Sequence, residues 1–151
     1  MNKTLLLAFA SLFLGACSIA QIQEGEQYTG TSMDLLQDGQ DINARLVGGK
    51  LEIMITAKGE RCKGTFQYVD SDKSYLGFTT ASNNYVGSFN GKFGPACTAA
   101  VGSKSGTRIA VQIARLGGLM GTSVMSSTAI RICSDAEGVC VPKNTFKVTK
   151  S

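Results

Sequence analysis

The cleanest alternation of apolar and polar positions runs from Asp41 to Thr56, where DINARLV and KLEIMIT are separated by Gly48-Gly49. Period-two alternation on both sides of a two-residue glycine turn predicts a β-hairpin. Successive strand side chains point to opposite faces, and two glycines supply the positive φ that such a turn needs. The turn fixes the register. Leu46 faces Leu51, Ala44 faces Ile53 and Ile42 faces Ile55, all apolar and all on one face. Arg45 then lies opposite Glu52 on the other face, a favourable cross-strand pair. A slip of one residue would move every apolar side chain to the polar face.

Weaker alternation continues downstream. From Arg61 to Val69, Cys62, Phe66 and Tyr68 alternate with Lys63, Thr65 and Gln67. Asp70-Ser-Asp-Lys73 reads as a turn, and Ser74 to Thr80 as a returning strand that brings Tyr75 near Tyr68. Ser82-Asn-Asn84 reads as another turn, and Tyr85 to Phe89 as a short strand ending at the Asn90-Gly91 turn. Thr107 to Ile113 alternates Ile109, Val111 and Ile113, and Val124 to Cys133 is a β-branched, serine-rich strand. Phe146 to Thr149 is expected to pair along an edge. The stretch Ile109 to Gly121 (IAVQIARLGGLMG) also fits a helix, and Gly117 and Gly121 have the GxxxG spacing of packed membrane segments. Arg115 interrupts that run and strand chemistry resumes at Val124, which favours a strand followed by a glycine-rich loop. Roughly eight to ten short strands with regularly spaced turns predict an all-β domain, a small antiparallel β-sandwich or barrel. It is expected over 28–151, behind a polar, aperiodic tether over 17–27.

Composition agrees with many tight turns, with 18 glycines against 2 prolines. The chain has no histidine, so the commonest general base and metal ligand is missing. Besides Cys17 there are four cysteines, Cys62, Cys97, Cys133 and Cys140. An even number in an exported chain reads as two disulfides with three possible connectivities. The short span from Cys133 to Cys140, holding Asp135, Glu137 and Gly138, favours pairing those two, which leaves Cys62 with Cys97. A C-x-x-C pair is absent, so neither a metal site nor a thioredoxin-type redox motif is expected.

At the start, Met1-Asn2-Lys3 is positive, and the run to Ala16 is almost wholly apolar and too short to span a bilayer. These are marks of a secretory signal. Leu14-Gly15-Ala16-Cys17 further resembles the lipobox of bacterial lipoproteins. The resemblance covers the targeting segment alone. It implies cleavage after residue 16, acylation of Cys17 with palmitate-type chains, and stable anchoring. Ser18, in place of the Asp that usually retains such proteins in the inner membrane, implies an outer-membrane location in a two-membrane cell.

Candidate chemistry is sparse. Lys104-Ser-Gly-Thr107 resembles the K-T-G element of penicillin-binding enzymes, but the accompanying S-x-x-K is absent, so a Gly/Ser turn is expected. Gly102 to Gly106 fails the P-loop spacing. Asp70-Ser-Asp72 begins like a calcium loop but lacks its later ligands. The aromatic set Phe66, Tyr68, Tyr75, Phe78, Tyr85, Phe89 and Phe93 is expected to pack the core rather than to form a glycan platform. Charge is uneven: 17–60 carries seven acidic and three basic residues, and 61–151 four acidic and eleven basic. Arg108, Arg115 and Arg131 are candidates for a basic surface, and Asp135 and Glu137 for a contact loop. The expectation is a non-enzymatic envelope lipoprotein that binds an envelope component or stabilises an assembly. The alternative is a lipid-anchored inhibitor that blocks a hydrolase. Expected partners are the membrane, through the anchor, and an envelope protein or other envelope component. Nucleic acid, cofactor and metal are not expected.

Overall fold

In the computed structural model, which describes residues 24–34, 39–75, 78–120, 123–136 and 140–151, the hairpin forms β2 (Asp41–Val47) and β3 (Lys50–Ala57). Its register is the expected one: Leu46 opposite Leu51, Ala44 opposite Ile53, Ile42 opposite Ile55 and Arg45 opposite Glu52. The six apolar residues are buried, and Arg45 and Glu52 form an ion pair at 3.2 Å on the solvent face.

The remaining strands are β1 (Gln27–Ser32), β4 (Glu60–Tyr75), β5 (Phe78–Asn90), β6 (Ile109–Met120), β7 (Ser123–Cys133) and β8 (Pro142–Lys150). Each is antiparallel to the next, and β8 returns to pair with β1. The result is a closed eight-stranded barrel, which decides between sandwich and barrel. Along β2 and β3 the inward positions are apolar and buried and the outward ones more exposed. Leu51, Ile55, Phe66, Phe89, Ile113 and Ile132 fill the interior, with the Phe66 and Phe89 rings edge to face at 5.0 Å.

Four expectations are corrected. Asp70–Lys73 and Ser82–Asn84 do not turn the chain. They lie within β4 and β5, where Ser71 pairs with Asn83 and Asp72 with Ser82. Register shifts after Tyr68 and Lys73 absorb the irregularity, as bulges do. Tyr68 therefore sits opposite Tyr85, and Tyr75 opposite Phe78. The Ile109 stretch is the favoured strand, but the glycine-rich loop does not follow it: β6 continues to Met120, with Gly117 between Thr79 and Ser126. Gly121 of the GxxxG spacing lies outside the described residues. Phe146 to Thr149 belongs to the strand that closes the barrel, not to an edge. Finally, Glu24 to Gln27 are not tether. The Gly25 N–H donates to Leu46 O, the Leu46 N–H to Glu26 O, and the Glu24 carboxylate accepts the Gly48 and Gly49 N–H groups at 2.6 and 3.2 Å.

Strand periodicity gave no warning of α1 (Pro95–Val101), a short helix across the lower end of the barrel. Pro95 suits the first turn and Gly102 ends the helix in a left-handed conformation. The residue before it offers no side-chain cap. The Glu60 carboxylate, at the start of β4, caps it instead by accepting the Ala96 and Cys97 N–H groups at 3.1 and 3.2 Å. A carboxylate there also meets the positive end of the helix. Cys62–Cys97 bonds α1 to β4, and Cys133–Cys140 closes the short loop before β8. By chain-entropy reasoning the two bridges stabilise by about 4 and 2.5 kcal/mol. Among the described residues no helix is long and apolar enough to cross a membrane.

Candidate functional site

The described interior positions are filled by buried side chains, and accessible chemistry is laid out on the outer wall. Strand pairing sets outward residues in cross-strand rows. One row runs Thr149, Thr29, Asn43, Met54, Lys63 and Asn90 across β8, β1, β2, β3, β4 and β5. The next runs Gln27, Arg45, Glu52, Thr65 and Ser88. Between them the wall forms an open concavity of about 690 Å³, and a second hollow continues it toward Thr31, Asp41 and Thr56.

Several groups in the concavity are held by their neighbours. The Gln27 amide donates to Asn43 Oδ1 at 3.0 Å, Arg45 Nε donates to Glu52 Oε2 at 3.2 Å, and Asn90 Nδ2 donates to Ser88 Oγ at 3.1 Å. Lys63 is exposed and has no ion-pair partner among the described residues. Amides, hydroxyls and one free cation on rigid strands can hydrogen-bond a polar, extended partner. No proton-transfer pair is arranged there.

A polar cluster lies toward the upper end of the barrel. Tyr28 and Tyr85 are almost fully buried. The Tyr28 hydroxyl donates to Glu26 Oε2 at 3.0 Å, while Lys150 Nζ holds Glu26 Oε1 at 2.9 Å. The Tyr68 ring stands edge-on to Tyr85 at 5.8 Å. Burial raises both buried phenols, Tyr85 to about 12, and the positive charge of Arg115 only partly opposes this. The neutral phenols therefore favour folding fully below pH 10, and the contribution of Tyr85 is lost as pH rises through about 12. Alkaline titration followed by tyrosinate absorbance and circular dichroism should show two of the four tyrosines ionising together with loss of structure. Independent ionisation of all four in an intact fold would contradict this.

The residues singled out in the sequence distribute as follows. Asp135 is exposed in the loop before β8, and its carbonyl accepts the Ala110 N–H at 2.9 Å. Glu137 and Cys17 lie outside the described residues. The basic set does not form one surface. Arg131 faces outward and donates to Gln112 Oε1, Arg115 has inward parity with Ile113, and Arg108 precedes β6 at the lower end. Lys104 to Thr107 is a turn, closed by the Thr107 N–H to Lys104 O. Of the aromatic set, Phe66, Tyr85 and Phe89 are core, Phe93 packs partly against it, and Tyr68 is 43% exposed.

Three structural anchors escaped the sequence reading. Glu24 and Glu60 cap distant backbone groups, and Asn144 forms a buried knot at the lower end. Its amide donates to Gln40 Oε1 at 2.8 Å and to Ala100 O at 3.0 Å, while Ser32 Oγ donates to its Oδ1 at 2.8 Å. The signal available for Asn144 was a polar residue in phase with Phe146 and Val148. No family model, curated protein or solved structure matches this chain.

Proposed function

We propose that this protein is a lipid-anchored, non-enzymatic binding protein of the bacterial cell envelope, placed in the outer membrane where the cell has one. Lipobox-type residues Leu14 to Cys17 support the anchor, since only six residues separate Cys17 from Glu24, where the barrel's hydrogen bonds begin. The observation that carries the binding role is the outer wall. It offers a strip of amides, hydroxyls and Lys63 on six paired strands, while the described interior positions are packed with side chains. The partner is another envelope component engaged through hydrogen bonds along that strip.

A second reading is favoured by one feature. The Cys133–Cys140 bridge closes a short loop with Asp135 exposed, and pre-ordering a loop lowers the entropy lost on binding. On that reading the protein is an inhibitor that presents Asp135 and Glu137 to a hydrolase.

The test combines localisation with site-specific crosslinking. Cys17→Ala should accumulate as an uncleaved precursor without palmitate label, and normal processing with retained membrane binding would reject the lipobox reading. Recovery of the labelled wild type in the inner membrane would reject the inference from Ser18. In the anchored wild type, a photocrosslinker at Lys63 should join the barrel to a defined partner. Crosslinks from Asp135 alone would replace the outer-wall reading with the inhibitor reading.

A further inference from the structure

We infer that the upper ends of the β4–β5 and β6–β7 hairpins rest on the lipid bilayer that holds Cys17, so that the barrel stands on the membrane with α1 pointing away. This deepens the anchored reading and rests on it.

Strand direction places the groups concerned at one end. The start of β1 and the Glu24 cap on Gly48-Gly49 lie at the upper end, with the finish of β8, where the Ser151 N–H reaches Gln27 O. The finish of β4, the start of β5, the finish of β6 and the start of β7 share that end. The chain from Cys17 therefore enters the barrel where these hairpins point.

Stagger makes the hairpins the most forward part of that end. The paired path from Cys62 runs through Ile55, Ile42, Gly30 and Val148, and continues through Thr128, Arg115 and Ala81 to Lys73. It returns to β4 about ten residues beyond its start, which tilts the strands by about 40° and lifts both hairpin ends about 10 Å past the β2–β3 turn. The seven chain steps from Cys17 to Glu24 reach at most about 25 Å. An acylated Cys17 at the lipid interface thus keeps the upper end close to the bilayer, and the hairpin ends meet it first.

The sequence there suits an interface. Between Lys73 and Lys92, and between Arg115 and Arg131, the chain carries no charged residue. Tyr75, Phe78, Leu116, Leu119, Met120, Val124 and Met125 fall on these strand ends. Uncharged strands bearing tyrosine and apolar residues settle at the lipid–water boundary at low cost. The outer wall of the barrel proper carries Arg45, Glu52, Lys63 and Lys147, which keeps lipid contact to this one end.

The chain has no tryptophan, so a single introduced one reports its own surroundings. The acylated protein would be purified with Phe78→Trp, Met120→Trp or, as a control at the opposite end, Val141→Trp, which is 58% exposed. Each would be reconstituted in phosphatidylethanolamine–phosphatidylglycerol vesicles brominated early in the acyl chains. Emission from positions 78 and 120 should fall at least about twofold while that from 141 is unchanged, as expected for residues at the interface. Palmitate labelling of the same samples reports on the anchor separately. Labelled protein with unquenched emission at both 78 and 120 overturns the contact while the anchor stands, and absence of label overturns both. Shielding of both positions from aqueous acrylamide without lipid quenching would show that a second copy covers the hairpins, and this too overturns the proposal.

Discussion

Replacing Ile53 by Asp is expected to abolish cooperative folding, whereas Glu52→Gln, one residue away, should cost under about 1 kcal/mol. Ile53 is 2% exposed and sits between Ala44 and Gly64 in the barrel interior. Its cross-strand partners, Ala44 and Gly64, offer a carboxylate no cation. Whether it stays charged or takes up a proton, the site loses several kcal/mol through desolvation and lost packing. That loss is comparable to the whole stability of a domain of this size. Glu52 lies on the solvent face, where its 3.2 Å contact with Arg45 is largely screened by water. Urea unfolding with both disulfides intact measures the two variants on one scale, provided the slopes agree. Comparable losses would mean that β3 presents its other face to the core.

The hairpin containing these two residues was legible because all of its determinants are local. Two glycines set the turn, the turn set the register, and an apolar face of period two matched it. The disulfide pairing was legible for a related reason, since a short span between Cys133 and Cys140 left Cys62 to Cys97. The longer strands were not legible. Asp70–Lys73 and Ser82–Asn84 have turn composition, but each lies against a neighbouring strand that satisfies its backbone groups. Tertiary pairing outweighs a local preference of a few tenths of a kcal/mol per residue. α1 was invisible because its one strong cap, Glu60, is 36 residues from Ala96 in sequence. The outer-wall strip was equally hidden. Asn43, Met54, Lys63 and Asn90 become neighbours only when four strands are in register. Chemistry made of one ordinary polar residue per strand leaves no motif along the chain.

Closure of the barrel depends on such a long-range fit, and Gly30→Ala is expected to break it. Gly30 pairs with Ile42 on one side and Val148 on the other. A methyl group at Gly30 would fall inside the van der Waals shell of the Lys147 carbonyl oxygen and 2.8 Å from Val148 Cα. Both obstacles are backbone, so no rotamer change relieves the overlap, and β1 must move away from β8. That seam is what joins the two ends of the sheet. The expected loss is about 3 kcal/mol, at the upper end for overpacking, with faster amide exchange concentrated in β1 and β8. Gly25→Ala provides the comparison. Gly25 has a φ of 84° but nothing within 4 Å of its missing side chain, so its replacement carries only the left-handed backbone penalty of roughly 1–2 kcal/mol. If Gly30→Ala is no more damaging than Gly25→Ala, or if its exchange rises evenly around the barrel, the close approach of β1 to β8 is not what closes the fold.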